Sequence, residues 1–162
     1  MTLEGAIFCG DRLLVTGTLV YVFVDAESRQ AKAIPDALRS LFRALDAGEA
    51  VLQTRVGSWT ELGQHARAVR AAVFIAEQGI AREDEWDDAD AGALHAVAFN
   101  GLGQAVATGR LLWDDADDRT AHVGRVAVHR QLRGGGHGLA VMRALEQAAR
   151  TRGIRTLQLN AQ

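Results

Sequence analysis

The chain has 162 residues, 48% of them hydrophobic and 23% charged, an ordinary balance for a globular protein of one domain or one domain and a fragment. Its 18 basic and 20 acidic residues leave a net charge of −2, which excludes the basic footprint of a nucleic-acid binder. One cysteine, Cys9, excludes an intrachain disulfide framework; with no apolar run of membrane-spanning length and no signal-like start in MTLEGAIFCGDR, the expected compartment is the cytoplasm.

Residues 3–24 read as two strands around Gly10-Asp11, the second running from Leu13 to Val24 and rich in Val, Leu, Tyr and Phe. A turn follows at Asp25-Ala26-Glu27-Ser28. Pro35 then opens a helix, where its missing N–H costs nothing, with Leu38, Leu41, Phe42 and Leu45 on one face and Gly48 as the stop. The run LVYVFVDAESRQAKAIPDALRSLF resembles the end of a hotdog-fold acyl-CoA thioesterase of the 4-hydroxybenzoyl-CoA type. That resemblance implies that residues 1–48 are the last third of such a domain, without the upstream helix that bears the catalytic carboxylate.

Residues 50–57 read as a strand. Ser58 and Glu61 form a capping box for a helix through Leu62, Ala66, Val69, Val73 and Phe74. The acidic run Glu83, Asp84, Glu85, Asp87, Asp88 and Asp90 reads as a solvated loop or as an attractant for a cationic amine, with Trp86 walling a pocket or anchoring the loop. Leu94 to Phe99 and Ala105 to Trp113 read as a hairpin around Asn100-Gly101. Asp114 to Asp118 form a polar loop, His122 to His129 a strand, and residues 138–152 a helix ended by Gly153. Residues 155–160 are the last strand.

The most informative stretch is VGRVAVHRQLRGGGHG at 123–138, where a strand runs through glycines into a helix. A helix N-terminus offers N–H groups that nothing inside the helix satisfies, and its dipole favours an anion. Gly134, Gly135, Gly136 and Gly138 let a backbone approach a phosphate, and Arg133 adds a cation with planar donors. A Walker loop would need Gly-Lys-Ser/Thr here, and a dinucleotide fingerprint would need an acid, not Asn160, after the next strand.

The pattern Arg133-x-x-Gly136-x-Gly138 resembles the pyrophosphate loop of the GCN5-related N-acetyltransferases (GNAT), with His137 standing where most members carry an aliphatic residue. The element order from residue 50 and the stretch VRAAVFIAEQGIAREDEWDDADAGALHAVAF, with its Val-Phe-x-x-Glu-Gln element, resemble the same family. The resemblance implies an α/β fold with a mixed sheet. It places a GNAT domain at 49–162 behind the hotdog-like remnant at 1–48. By the same resemblance the domain stops after its fifth strand, before a helix carrying a tyrosine acid and two further strands. Acetyl-CoA is the implied co-substrate and a small-molecule amine the acceptor. The cofactor-binding residues so implied are Val126, Ala127, Val128, Arg133, Gly134, Gly135, Gly136, His137, Gly138 and Asn160.

Acyl transfer needs a base for the amine, donors for the carbonyl oxygen and a stabilised thiolate. The candidate bases are Glu77, which matches the Glu of the Glu-Gln element, then His122, with His95 and His129 behind them. No metal is expected, since the histidines are scattered and Cys9 has no partner at ligand spacing. An apolar last strand with an uncovered edge predicts a homo-oligomer. Two other readings stay open: thioester hydrolysis by a bifunctional fusion fragment, and a CoA-binding module without turnover.

Overall fold

The computed structural model describes residues 1–114 and 116–159, so Asn160 lies outside the described residues. The chain divides into two compact units, Met1–Arg43 and Ala44–Gln162.

In the first unit, β1 (Thr2–Cys9) and β2 (Arg12–Val20) form an antiparallel hairpin turned at Gly10, whose φ of 58° is the left-handed conformation a glycine adopts freely. β2 stops at Val20, short of the expected Val24. There the chain turns on the Asp25 carboxylate, which accepts from the Glu27 and Ser28 amides, and Val24 bridges Ala31. Helix α1 (Asp36–Asp46) follows Pro35 as expected. It ends on Gly48 at φ 70°, with the Glu49 amide reaching back to the Ala44 carbonyl, a Schellman closure. None of the described residues Met1–Arg43 is buried.

The second unit carries, among the described residues, a five-stranded mixed sheet in the order β3-β4-β5-β6-β7. Its strands are β3 (Gln53–Gly57), β4 (Leu94–Phe99), β5 (Ala105–Trp113), β6 (Thr120–Val128) and β7 (Thr156–Leu159). Neighbours pair antiparallel except β6 and β7, which are parallel. On one face lies α5 (His137–Thr151), whose Val141, Leu145 and Ala149 bury against Ala96, Ala107, Leu111 and Val123. On the other lies α2 (Trp59–Arg70), whose Leu62, Ala66 and Val69 meet Val97, Phe99 and Ala127.

Ser58 and Glu61 form the expected capping box. Beyond Arg70 the helix widens into a π-helical stretch, Ala71–Glu77, which the periodicity did not announce. The β4–β5 turn also differs from the two-residue turn read at Asn100-Gly101. The Asn100 carboxamide oxygen accepts from the Leu102 and Gln104 amides, and the left-handed residue is Gly103 at φ 74°. A side chain that caps its own turn in this way favours a longer loop. Helix α5 starts at His137 and closes at Gly153, where the Ile154 amide bonds to the Ala149 carbonyl.

The acidic run departs most from expectation. It folds into two single-turn helices, α3 (Arg82–Glu85) and α4 (Ala89–Gly92), and buries Glu85 and Asp90. Buried carboxylates require partners, and here these are Arg70, Arg110 and Arg125.

Candidate functional site

Among the described residues β6 and β7 pair from Thr120–Thr156 to Val123–Leu159, and β6 runs on to Val128. Beside this pairing lies a groove of about 520 Å³. Phe74, Gln78 and Ile80 wall one side, His122 to Val126 the floor, and Gln158 and Leu159 the other side.

The backbone of β6 past Val123 is oriented by its antiparallel partner. The His129 amide donates to the Val106 carbonyl of β5. Successive residues of a strand point their amides to opposite edges, so Ala127 also faces β5 while Val126 and Val128 face away from it. The Arg133 Nε supports this, since it reaches the outward Val128 carbonyl at 3.3 Å. Ala127 therefore does not share the role implied for its neighbours. Its side chain is buried against Val69 and Val73.

The glycine loop follows. Arg130–Leu132 make one 3₁₀ turn. Gly134 and Gly136 sit at φ 82° and 78°, left-handed positions with open space where a Cβ would stand. Gly136 is the N-cap of α5 and supplies no side-chain cap, so the amides of the first helical turn point out of the helix end. Gly138 packs that turn on β6, since a Cβ there would stand 3.3 Å from Val128 Cγ2. His137 folds back over Gly135, with Nε2 2.9 Å from where a Gly135 Cβ would be.

Arg133 is not the free cation that the sequence suggested. Its Nη1 and Nη2 donate to Glu77 Oε1 and Oε2, each at 2.8 Å. Glu77 closes the π-helical stretch, so this forked ion pair ties that stretch to the glycine loop. The Arg133 hydrogen bond holds the Glu77 carboxyl below its ordinary value, which makes it a weaker base.

The histidines separate clearly. His95 is buried, tilted against Trp59 and bonded through Nε2 to the Asp90 carbonyl at 3.0 Å. Burial pushes its pKa down, and it is a core residue rather than a base in the groove. His129 ends β6 and accepts at its carbonyl from the Leu132 amide, at the root of the glycine loop. His122 lines the groove, its Nε2 2.8 Å from Asp114 Oδ2, which leaves Nδ1 as the other ring nitrogen. The His122 contact holds the Asp114 carboxyl below its ordinary value.

Three arginines meet three carboxylates beside the groove, and Glu85 and Arg125 of this cluster line it. Arg70 donates to Glu85 Oε1, to the Glu85 carbonyl at 2.8 Å and to Asp90 Oδ1 at 2.7 Å. Arg110 donates to Asp90 Oδ1 at 2.8 Å and forks onto Asp87. Arg125 lies 3.4 Å from both Glu85 Oε2 and Asp87 Oδ2. Trp86 stacks on the Arg67 and Arg70 guanidiniums, so it anchors this segment. The sequence reading missed this cluster. Its signal was present: Arg70 falls on the apolar stripe of α2 between Ala66 and Val73, a place where a charge needs buried partners.

A family model described as Acetyltransferase (GNAT) family matches residues 59–162. The match begins beyond the hairpin and α1, and lends no support to the thioesterase resemblance of residues 1–48. YjcF of Bacillus subtilis (strain 168), an uncharacterized N-acetyltransferase, is 34% identical over 94 residues, which are 58% of this chain and 64% of that relative. The chain thus spans just under two thirds of its length. Among solved structures, ElaA of Escherichia coli superposes with a TM-score of 0.59 at 27% identity, covering 68% of this chain and 78% of that one. An acyl-CoA N-acyltransferase from Pseudomonas aeruginosa gives 0.59 at 29% identity, over 68% and 80% of the two chains.

Proposed function

The chain belongs to the acetyltransferase (GNAT) family, and from that premise we propose that it moves an acetyl group from acetyl-CoA to a primary amine by direct attack on the thioester. The observation that carries the reading is the left-handed glycine loop that leads into an α5 N-terminus with no side-chain cap, next to a β6 whose Val126 and Val128 amides face away from β5. The outward amides of Val126 and Val128 suit the thioester oxygen and the amide arm of the donor. The amides of His137, Gly138 and Leu139 suit its diphosphate. Arg133 acts here as a brace: its fork is closed on Glu77, and the backbone supplies the donors.

His122 is the base of this proposal. Asp114 accepts from Nε2–H and so fixes the tautomer that leaves the Nδ1 lone pair for the ammonium proton of the acceptor. The neutral amine then attacks the carbonyl carbon, and charge gathers on the oxygen at the Val126 amide. The C–S bond breaks, and the departing thiolate takes the extra proton of the attacking nitrogen, giving the amide and free CoA thiol. Apolar Phe74, Ile80 and Leu159 keep water from the acyl carbon. The acceptor is a small amine, positive until it gives up its proton.

Release of CoA thiol from acetyl-CoA, followed with and without a panel of primary amines, tests the reading. Amine-dependent release is expected, and a His122→Gln variant should lose about a hundredfold in kcat. Release that ignores the amine would mean hydrolysis; CoA binding without release would mean a binding module. We also propose self-association along β7, the last strand of the sheet among the described residues. Sedimentation at rising concentration measures it, and a monomer throughout would exclude it.

A further inference from the structure

The register of β5 and β6 breaks between Thr108 and Arg110. Thr108 pairs with Ala127 and Arg110 with Gly124, so Arg125 and Val126 together stand opposite Gly109. This is a β-bulge, and it sits where β6 turns its Val126 amide away from β5. The residue that makes the bend is unusual. Arg125 has φ 51°, one of two non-glycine residues with positive φ among those described; the other, Arg29, lies in the turn after β2. A left-handed conformation costs an arginine what it does not cost a glycine, and it persists only where the surroundings over-determine it.

The surroundings do so through the side chain. Arg125 lies between Glu85 and Asp87, which are themselves immobilised by Arg70 and Arg110. We propose that Glu85 and Asp87 are positioning residues: by holding the arm of Arg125 they keep residue 125 left-handed, and the bulge then aims the Val126 amide at the groove. The proposal rests on the acyl-transfer reading above. It gives the buried ion cluster a task in the reaction as well as in the fold.

The unmodified chain and four variants test it. Arg125→Ala removes the arm and keeps a Cβ that resists positive φ. Arg125→Gly removes the arm but accepts positive φ freely. Asp87→Asn loosens the clamp, alone and in the Arg125→Gly background. CoA affinity by calorimetry should stay unchanged throughout, since the glycine loop is untouched. The expected kcat of Arg125→Ala is roughly tenfold below that of the unmodified chain. Arg125→Gly should stay within about threefold of it. Asp87→Asn should lower kcat in the unmodified background and have no further effect in Arg125→Gly, because the arm through which it acts is gone. Backbone NMR should report residue 125 left-handed in the unmodified chain and shifted in Asp87→Asn. Equal losses in Arg125→Ala and Arg125→Gly, a rise in amine KM with kcat intact, or an Asp87→Asn loss equal in both backgrounds would each overturn the proposal. A chain that binds no CoA while residue 125 stays left-handed would instead overturn the acyl-transfer reading and leave the clamp standing on the NMR result.

Discussion

Two loops border the candidate site, and they handle polarity in opposite ways. The segment 82–92 is dense with charge, yet Glu85 and Asp90 are buried and their partners are internal: Arg70, Arg110 and Arg125. The loop 133–138 carries one charged side chain, Arg133, already closed on Glu77, and what it presents outward is backbone amide at the end of α5. Charge density is therefore a poor guide to where a ligand binds. Charges that the fold has already paired make structure, whereas a helix end left without a cap marks a site.

The sharpest way to break this contrast is to remove a partner on the satisfied side. Arg70→Met leaves Glu85 and Asp90 buried without their shared cation, and should cost about 3–5 kcal/mol of stability, read from the urea midpoint. A loss under about 1 kcal/mol would show that the cluster is solvated after all.

A smaller effect separates a brace from a base. Glu77→Gln weakens the fork to Arg133 and should raise the KM for acetyl-CoA by roughly threefold. Kinetics of that variant should show the pH profile of kcat unchanged. A lost acid limb would return Glu77 to the role of base that its place in the Glu-Gln element suggested.

The smallest effect concerns pH. His95 is held below its ordinary value by burial, so in the fold it stays neutral where an unfolded chain would take up a proton. Stability should therefore fall as pH drops below about 6.5, by at most about 1.4 kcal/mol per unit, and level off below the folded value. Thermal melts across pH 7 to 5 measure this slope, and His95→Gln should lose its share of it.

The sequence disclosed the elements whose signals are local. Ser58 and Glu61 stand three apart, Gly48 and Gly153 follow their helices, and the glycines at 134–138 stand between strand and helix. It did not disclose what depends on residues far apart in the chain. Arg70 and Glu85 are separated by 15 positions and Glu77 and Arg133 by 56, and no periodicity couples them. The same limit explains the acidic run, which reads as solvated until its cations are placed. It also explains His122, whose partner Asp114 lies across the loop that joins β5 to β6. The hairpin β1–β2 was legible as strands, yet its apolar Leu3, Ile7, Val15 and Leu19 remain exposed, because a strand pattern fixes which residues share a face and not what covers it.

The central claim is that unsatisfied amides at the α5 N-terminus bind the diphosphate of an acyl-CoA. Calorimetric titration of acetyl-CoA into the chain and into its Gly136→Val variant tests it most directly. Valine at φ 78° strains the N-cap and stands in the open space a phosphate would need. A single site is expected in the unmodified chain, with an affinity lower by about tenfold or more in a variant that still folds. Equal affinity in the two folded proteins would contradict it.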